Sequence, residues 1–291
     1  MGLARSLRRR LGHYRSIDDY EYLRRLARGG SVDPSDEGHG ASPVLRIAEP
    51  DLGIVFVLDD WRDAPQKLLV RHGYARYGGV VAAIRAFARP ETSVLDIGAN
   101  VGAIALYASR VVPSARVHAF EPSPRTAPLL RRNVALNRAA NVEIHEVGLG
   151  REEGTFDFHM ETAASTNSGL SSFRAASRHK SAEVVRVAMT TLDRLAPRLG
   201  AASFVKLDTQ GTELEVLEGG REWLRRERPA IVLEHEDDHF DDPAAARERM
   251  RSLLASLGYR AFVFSRKDPL LLLDVNWSRP IRGDLLALAG V

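Results

Sequence analysis

The 291-residue chain contains no cysteine. That absence excludes disulfide bonds, thiolate ligands for metals and a cysteine nucleophile. The chain also lacks the run of about 18 uninterrupted apolar residues that a membrane-spanning helix requires, and its amino terminus is rich in arginine where a secretory signal would be apolar. We therefore expect a protein without a transmembrane segment, and we expect it in the cytoplasm.

Net charge is low, at +3, and it is unevenly distributed. Residues 1–30 carry eight arginines and three acids, a net charge of +5, so the rest of the chain has a net charge of about −2. Because a nucleic-acid-binding domain presents a basic surface, we expect no nucleic-acid partner. The basic segment is either a solvated helix face or a contact for an acidic partner or a membrane surface.

The composition, with 44% hydrophobic and 27% charged residues, is typical of a globular protein. Residues 1–43 are predicted to form a basic helical arm followed by a flexible linker rich in Gly, Ser, Asp and Pro. Residues 44–90 are predicted to form a hairpin and a helix, which we expect to pack as a cap over a larger domain at residues 91–291. The sequence leaves a homodimer open.

From residue 93 onward, predicted strands alternate with predicted helices. This alternation indicates an α/β fold with a mostly parallel sheet, right-handed crossovers and flanking helices. Two extra strands interrupt the alternation, and an antiparallel pair follows it. After the first strand, the predicted strands cover residues 117–120, 142–147, 155–159, 184–189, 204–207, 230–233, 259–264 and 270–275, and the predicted helices cover 124–137, 212–226 and 244–257.

Residues 93–102 read Ser-Val-Leu-Asp-Ile-Gly-Ala-Asn-Val-Gly, an apolar strand that ends in an acid and a glycine turn. Such a turn builds a nucleoside site at the carboxyl edge of the sheet, and Glu121, at the end of the next strand, can accept hydrogen bonds from a ribose. Asn100 stands where a dinucleotide fingerprint needs its middle glycine, so S-adenosylmethionine is favoured over a pyrophosphate. The residues assigned to this cofactor are Asp96, Gly98, Ala99, Asn100, Gly102, Glu121 and Pro122.

Two residues at the ends of later strands are candidate catalytic groups. Methyl transfer to a hydroxyl requires a base, and His235 titrates near neutral pH. Asp208 is the other candidate. It could instead hold acceptor hydroxyls together with Gln210, bind a divalent cation with a neighbouring acid, or cap the next helix. His235 could equally be a structural histidine, and we assign no metal ligand.

A polar stretch at residues 161–181 is too long for a simple connection. Long loops at the functional edge of a sheet usually contact a substrate, although disorder is the alternative. The residues assigned to substrate binding are Asn167, Ser168, Gln210, Glu234 and Glu236.

Four ordered segments resemble the FkbM-type S-adenosylmethionine-dependent methyltransferases: residues 94–102 (VLDIGANVG), 119–124 (AFEPSP), 190–195 (TTLDRL) and 205–219 (VKLDTQGTELEVLEG). The resemblance covers roughly residues 94–235. It implies a class I methyltransferase fold, with Asp96, Gly98, Asn100 and Gly102 on the methionine side of the cofactor and Glu121 on its ribose. Many relatives have Asp-Val-Glu-Gly where this chain has Asp-Thr-Gln-Gly, and the amide weakens the case for a metal.

The sequence therefore predicts an S-adenosylmethionine-dependent O-methyltransferase. The acceptor molecule would be a small molecule or a glycan. The methyl group would be transferred to a hydroxyl of a sugar, glycan or glycosylated natural product. Two alternatives stay open: a non-catalytic module that binds the same cofactor, and a nicotinamide-dependent oxidoreductase, which Asn100 disfavours.

Overall fold

The structure, a computed structural model, describes residues 31–32, 45–49, 52–58, 63–161, 167–174, 182–264 and 272–290. The predicted helical arm lies outside these residues, as does most of the predicted linker. Within that linker, Ser31–Val32 forms a short strand that pairs antiparallel with Leu45 and Arg46. Among the helices of the described residues, none is both long and apolar enough to cross a membrane.

The described residues form fourteen strands and eight α-helices. The strands are β1 (Ser31–Val32), β2 (Leu45–Glu49), β3 (Ile54–Leu58), β4 (Ser93–Ile97), β5 (Arg116–Phe120), β6 (Val142–His145), β7 (Gly148–Leu149), β8 (Gly154–Glu161), β9 (Ala182–Thr190), β10 (Ala202–Leu207), β11 (Ala230–Glu236), β12 (Tyr259–Phe264), β13 (Leu272–Asp274) and β14 (Arg282–Ala289). The helices are α1 (Ala64–His72), α2 (Gly78–Phe87), α3 (Ala103–Val111), α4 (Ala127–Leu136), α5 (Leu192–Leu199), α6 (Glu213–Glu218), α7 (Arg221–Glu227) and α8 (Pro243–Ser256).

The central sheet has eight strands in the order β13-β12-β14-β11-β10-β4-β5-β6. Strands β6, β5, β4, β10 and β11 are parallel to their neighbours in this run. The predicted α/β fold with a mostly parallel sheet is therefore confirmed, and so is the antiparallel pair β12–β13. The sequence analysis missed β14, which lies antiparallel between β11 and β12 and buries Leu285, Leu286 and Ala287.

Alternating side chains of the strands build one hydrophobic core on each face of the sheet. On one face, Val94 and Val117 belong to the core that includes α2, α3 and α4. On the other face, Leu95 and Val205 belong to the core that includes α7 and α8, with Trp223 fully buried. This two-sided burial explains why the central strands are almost continuously apolar.

A small sheet, β1-β2-β3, docks on helix α4 through side-chain amides. Asn133 accepts a hydrogen bond from the backbone N–H of Val57 at 2.6 Å, and Asn137 accepts one from Val55 at 2.8 Å. Asn137 also donates to the Val55 carbonyl at 2.6 Å. The edge of the small sheet is thereby satisfied.

The predicted helix at residues 212–226 is wrong, because the structure divides it into α6 and α7 at Gly219 and Gly220. Asp193 docks at this break. Its backbone N–H donates to the Gly219 carbonyl at 3.0 Å, and its carboxylate accepts the N–H of Trp223 at 2.7 Å. Gly219 itself passes so close to Gly150 that a Cβ would overlap the Gly150 carbonyl oxygen. Packing between residues that are far apart in the sequence therefore ends α6. A local sequence pattern carries no information about such packing.

We predict that Gly219→Ala destabilises the fold by at least about 2 kcal/mol, because backbone would have to move to admit a methyl group. Gly78→Ala is the matched control, since a Cβ built there meets no described atom within 4 Å. Urea unfolding of both variants measures the difference. Equal unfolding free energies for the two variants would contradict the close approach.

Candidate active site

A cavity of about 280 Å³ opens at the carboxyl ends of β4, β5, β10 and β11. Ligands of α/β sheets bind at this edge. The turn after β4, the end of β5 and the turn after β10 form one side, and α1 with residues 167–173 forms the other. The lining residues are 64, 65, 68, 77, 97–101, 103, 104, 120–122, 147–149, 158, 167–171, 173, 206, 208–210, 212 and 234.

The turn after β4 requires its glycine and its asparagine. Gly98 has a φ of +78°, and a Cβ there would overlap the carbonyl oxygen of Asp208. Asn100 also has a positive φ, +50°, a conformation that asparagine tolerates better than most residues. Its side-chain oxygen accepts the Val101 N–H at 2.8 Å. The turn is thus held directly against the strand end that carries Asp208.

Glu121 lines the cavity at the end of β5. Its carboxylate accepts the backbone N–H of Asn100 at 2.8 Å and that of Ser123 at 3.0 Å. Burial raises the pKa of Glu121 to about 7, in spite of these two hydrogen bonds. A carboxylate has about four lone-pair sites, so two acceptor positions remain after these bonds.

Lys206 is a buried charge near the carboxyl end of strand β10. Its ammonium donates to the Gly98 carbonyl at 2.8 Å and forms ion pairs with Asp96 at 3.5 Å and Asp208 at 3.4 Å. Burial alone would lower the pKa of Lys206, but the two carboxylates raise it, so the side chain is charged. One cation therefore joins the strand end of β4 to that of β10.

Asp208, Gln210 and Glu234 form a hydrogen-bonded group on the cavity wall. The Gln210 amide donates to Asp208 at 2.8 Å and to Glu234 at 2.7 Å. Burial would raise the pKa of Asp208, but the Lys206 ammonium and the Gln210 amide lower it below its ordinary value. Burial and the Asp208 carboxylate raise the pKa of Glu234. The two shifts have opposite directions, so Asp208 is the stronger acid of this coupled pair.

Glu213 fixes the turn that presents this group. Its carboxylate accepts the backbone N–H groups of Thr209 at 2.7 Å and Gly211 at 3.1 Å. Within the same turn Gln210 has a φ of +58°, which is uncommon for a residue other than glycine. Backbone in such a conformation persists where its surroundings hold it, and here those surroundings are the Glu213 hydrogen bonds.

The polar segment at residues 167–174 spans the cavity between α1 and this turn. At one end, Ser168 donates its backbone N–H and its hydroxyl to Asp63, the hydroxyl at 3.0 Å. At the other end, Ser172 donates to the Gln210 carbonyl at 3.0 Å, and Arg174 donates to the Gly211 carbonyl at 3.0 Å. Residues 162–166 and 175–181 of the predicted loop lie outside the described residues.

Most of the residues assigned from the sequence come together in this cavity. Those in its lining are Gly98, Ala99, Asn100, Glu121, Pro122, Asn167, Ser168, Asp208, Gln210 and Glu234. Four other assigned residues, all in the described part of the chain, lie outside the lining: Asp96, Gly102, His235 and Glu236.

Asp96 and Gly102 lie behind the cavity wall. Asp96 is 1% exposed, and its carboxylate accepts the Ala105 N–H of α3 at 2.8 Å, so it positions Lys206 and the start of α3. Gly102 has a φ of +90°, and a Cβ there would lie 2.7 Å from a methyl carbon of Leu130. Packing and backbone conformation explain this glycine without a ligand.

His235 and Glu236 lie outside the cavity lining. Strand β11 extends three residues beyond the predicted strand and therefore includes both of them. Side chains alternate along a strand, so His235 points to the face opposite Glu234. His235 is 1% exposed, its ring stacks on Phe240, and Nε2 lies 3.4 Å from Asp237. Burial lowers the pKa of His235. This placement argues against His235 as the base.

Sequence reasoning missed Lys206, Glu213 and the contribution of α1. A lysine between two apolar residues of a buried strand was the available signal for Lys206. Glu213 looked like an ordinary first-turn acid of a helix. The contact between Asp63 and Ser168 joins residues 105 positions apart, and no local pattern reports it.

The sequence matches the family model of the methyltransferase FkbM domain over residues 96–261. The chain belongs to the FkbM methyltransferase family. The sheet and helices described above are accordingly a class I methyltransferase fold, and the cofactor of this family is S-adenosylmethionine.

Three curated relatives of this FkbM-family chain are methyltransferases or contain a matching region. "Methyltransferase 1" of Beauveria bassiana is 28% identical, over 44% of this chain and 58% of the relative. The AMB antimetabolite synthetase AmbE of Pseudomonas aeruginosa is 30% identical, over 71% of this chain and 11% of the relative. The 2-O-methyltransferase NoeI of Sinorhizobium fredii is 29% identical, over 58% of this chain and 73% of the relative. The chain thus spans little more than half of the first relative and a small part of the second.

The cavity of the FkbM-family chain fits S-adenosylmethionine. Glu121 keeps acceptor capacity for two hydroxyls at one end, as a ribose requires. None of the residues between Gly98 and Pro122 that line the cavity is cationic, so this wall suits a ligand without phosphates. Glu121, Pro122 and residues 98–100 would hold the nucleoside and the amino acid tail.

We predict that Lys206→Met destabilises the fold by about 3–5 kcal/mol at pH 8, because it leaves the buried Asp96 without its partner. The loss should shrink as the pH falls. Without the ammonium the pKa values of Asp96 and Asp208 rise, and protonation at lower pH removes the unpaired charge.

Lys67→Met, on α1, is the control for loss of a lysine. Urea unfolding at pH 8 and pH 5 measures both variants. Our account of Lys206 would be contradicted if the two variants were equally stable at pH 8, or if the stability lost by the Lys206 variant relative to the wild type were larger at pH 5 than at pH 8.

Proposed function

We propose that this chain is an S-adenosylmethionine-dependent O-methyltransferase whose acceptor is a hydroxyl of a sugar, glycan or glycosylated natural product. The observation that carries the proposal is the position of Asp208 on the cavity wall, 3.4 Å from the Lys206 ammonium and hydrogen-bonded to the Gln210 amide, which also donates to Glu234. The Asp208 side chain is 34% exposed, so it is accessible to an acceptor.

S-adenosylmethionine, when bound, supplies an electrophilic methyl group on its sulfonium. Glu121 binds the ribose hydroxyls, and its ionised form, which prevails above pH 7, is the better acceptor. Asp208 would accept a hydrogen bond from the acceptor hydroxyl and take its proton as the oxygen–carbon bond formed and the methyl–sulfur bond broke, with S-adenosylhomocysteine as the leaving group. Lys206 keeps Asp208 ionised until that moment, and Gln210 keeps its carboxylate oriented.

Two features support a polyhydroxylated acceptor. Glu234, Gln210, Asn167 and Ser168 bring hydrogen-bonding groups to the same cavity as Asp208. Phe158 and Phe173 add an apolar wall, with ring centroids 4.9 Å apart. A sugar ring combines hydroxyls with apolar C–H faces, and the Sinorhizobium relative is named a 2-O-methyltransferase.

We predict that Asp208→Asn lowers the rate of methyl transfer by about 100-fold or more, the range expected for loss of a general base. His235→Gln should leave the rate near that of the wild type, since His235 lies outside the cavity lining. The assay uses methyl-labelled S-adenosylmethionine and a panel of sugars and natural-product glycosides.

Binding of S-adenosylhomocysteine, measured by calorimetry, is the control and should be the same in all three proteins. Absence of this binding in the wild type would refute the cofactor assignment. Loss of turnover in the His235 variant, with turnover retained in the Asp208 variant, would instead reinstate His235 as the base.

A further inference from the structure

Two histidines and a glutamate form a cluster on strands β5 and β6, outside the lining of the cavity. His118 lies on β5, and Glu143 and His145 lie on β6, the edge strand of the sheet. His118 is the register partner of Glu143, and Phe120 is that of His145. All of these side chains therefore project from the same face of the sheet.

The three side chains are spaced as ligands of one metal ion would be. His118 Nδ1 lies 3.0 Å from His145 Nε2. Glu143 places Oε2 3.6 Å from His118 Nδ1 and Oε1 3.8 Å from His145 Nε2. Zinc bonds of about 2.0–2.1 Å in tetrahedral geometry would separate the ligand atoms by roughly 3.3 Å. In the structure, one ligand atom from each of the three residues lies within 4.8 Å of the other two.

The hydrogen bonds around His118 put the lone pair of this ring on Nδ1, whose partner in the absence of a metal is the His145 ring. Ser93 donates its hydroxyl hydrogen to the Leu199 carbonyl. The Ser93 oxygen, 3.3 Å from His118 Nε2, must therefore accept the N–H of that ring nitrogen. In the neutral ring the lone pair is then on Nδ1, which faces His145 and Glu143. A hydrogen bond from the second ring nitrogen is the usual orienting contact of a metal-binding histidine.

An ion can reach the cluster from solvent through Glu143, whose side chain is 41% exposed. Arg198 pairs with Oε1 of this carboxylate at 3.0 Å and leaves Oε2 toward His118. The guanidinium competes with a metal for one oxygen only, and it holds the carboxylate over the two rings.

We propose that His118, Glu143 and His145 bind one divalent transition-metal ion. Imidazole and carboxylate ligands suit zinc, and three protein ligands leave a fourth position for water. The ion would tie the edge strand β6 to β5 beside Glu121, whose backbone N–H already donates to the His145 carbonyl at 3.1 Å. Its role would therefore be to stabilise the strand end that precedes Glu121.

The test is equilibrium dialysis of the chelator-treated full chain against Zn²⁺. We expect one tightly bound equivalent and a rise in the thermal midpoint with Zn²⁺. Glu143→Gln should weaken binding by at least about 100-fold, because loss of a ligand costs more than the 10–100-fold typical of outer contacts. Glu143 is half exposed, so this variant should fold.

His145→Gln is the second ligand variant, and His72→Ala, which removes an exposed histidine elsewhere, is the matched control. The control should bind Zn²⁺ as the wild type does. Absence of tight binding in the wild type, or equal affinity in wild type and Glu143→Gln, would overturn the proposal. In either case the two histidines would form only a buried hydrogen bond.

Discussion

The buried ammonium of Lys206 is the interaction on which the site depends, because it holds two strand ends of like charge together. Asp96 and Asp208 approach it from β4 and β10, and the Gly98 carbonyl accepts one of its hydrogens. Without a cation at this point the carboxylates would repel each other at low dielectric, and burial would favour their protonation. At the same place Gly98 passes so close to the Asp208 backbone that a Cβ would overlap the Asp208 carbonyl oxygen.

The acidic side chains of the site differ in their pKa values. Against the effect of burial, Lys206 and Gln210 lower the pKa of Asp208, whereas burial and the Asp208 carboxylate raise the pKa of Glu234. Glu121 and Glu213, which are buried and hydrogen-bonded to backbone, have pKa values of about 7. Carboxyl groups whose pKa values differ in this way can serve as hydrogen-bond acceptor, hydrogen-bond donor and base at one site. The chemistry of the site therefore follows from where one lysine is buried.

Local patterns in the sequence predicted the parts of the site that a strand, a turn and a helix build together. The positions of Gly98, Glu121 and Asp208 could be predicted from that unit, because parallel strands bring their carboxyl ends to one edge of the sheet. His235 was placed at the edge because β11 was predicted to end at Leu233, and the longer strand turns this side chain to the opposite face. The cluster of His118, Glu143 and His145 depends on the register between two strands. Single strands contain no information about register, so this cluster could not be predicted from the sequence.

The contacts of residues 167–174 were also beyond prediction, since Asp63 and Gln210 meet this segment only in the folded chain. These contacts join α1 to the turn after β10 across one cavity, in which we propose that Glu121 binds the nucleoside and Asp208 the acceptor. A crystal structure with S-adenosylhomocysteine tests this assignment most directly. We expect the ribose hydroxyls on Glu121, the sulfur directed toward Asp208, and Lys206 still paired with Asp96. A ribose bound away from Glu121, or a sulfur directed away from Asp208, would contradict the account.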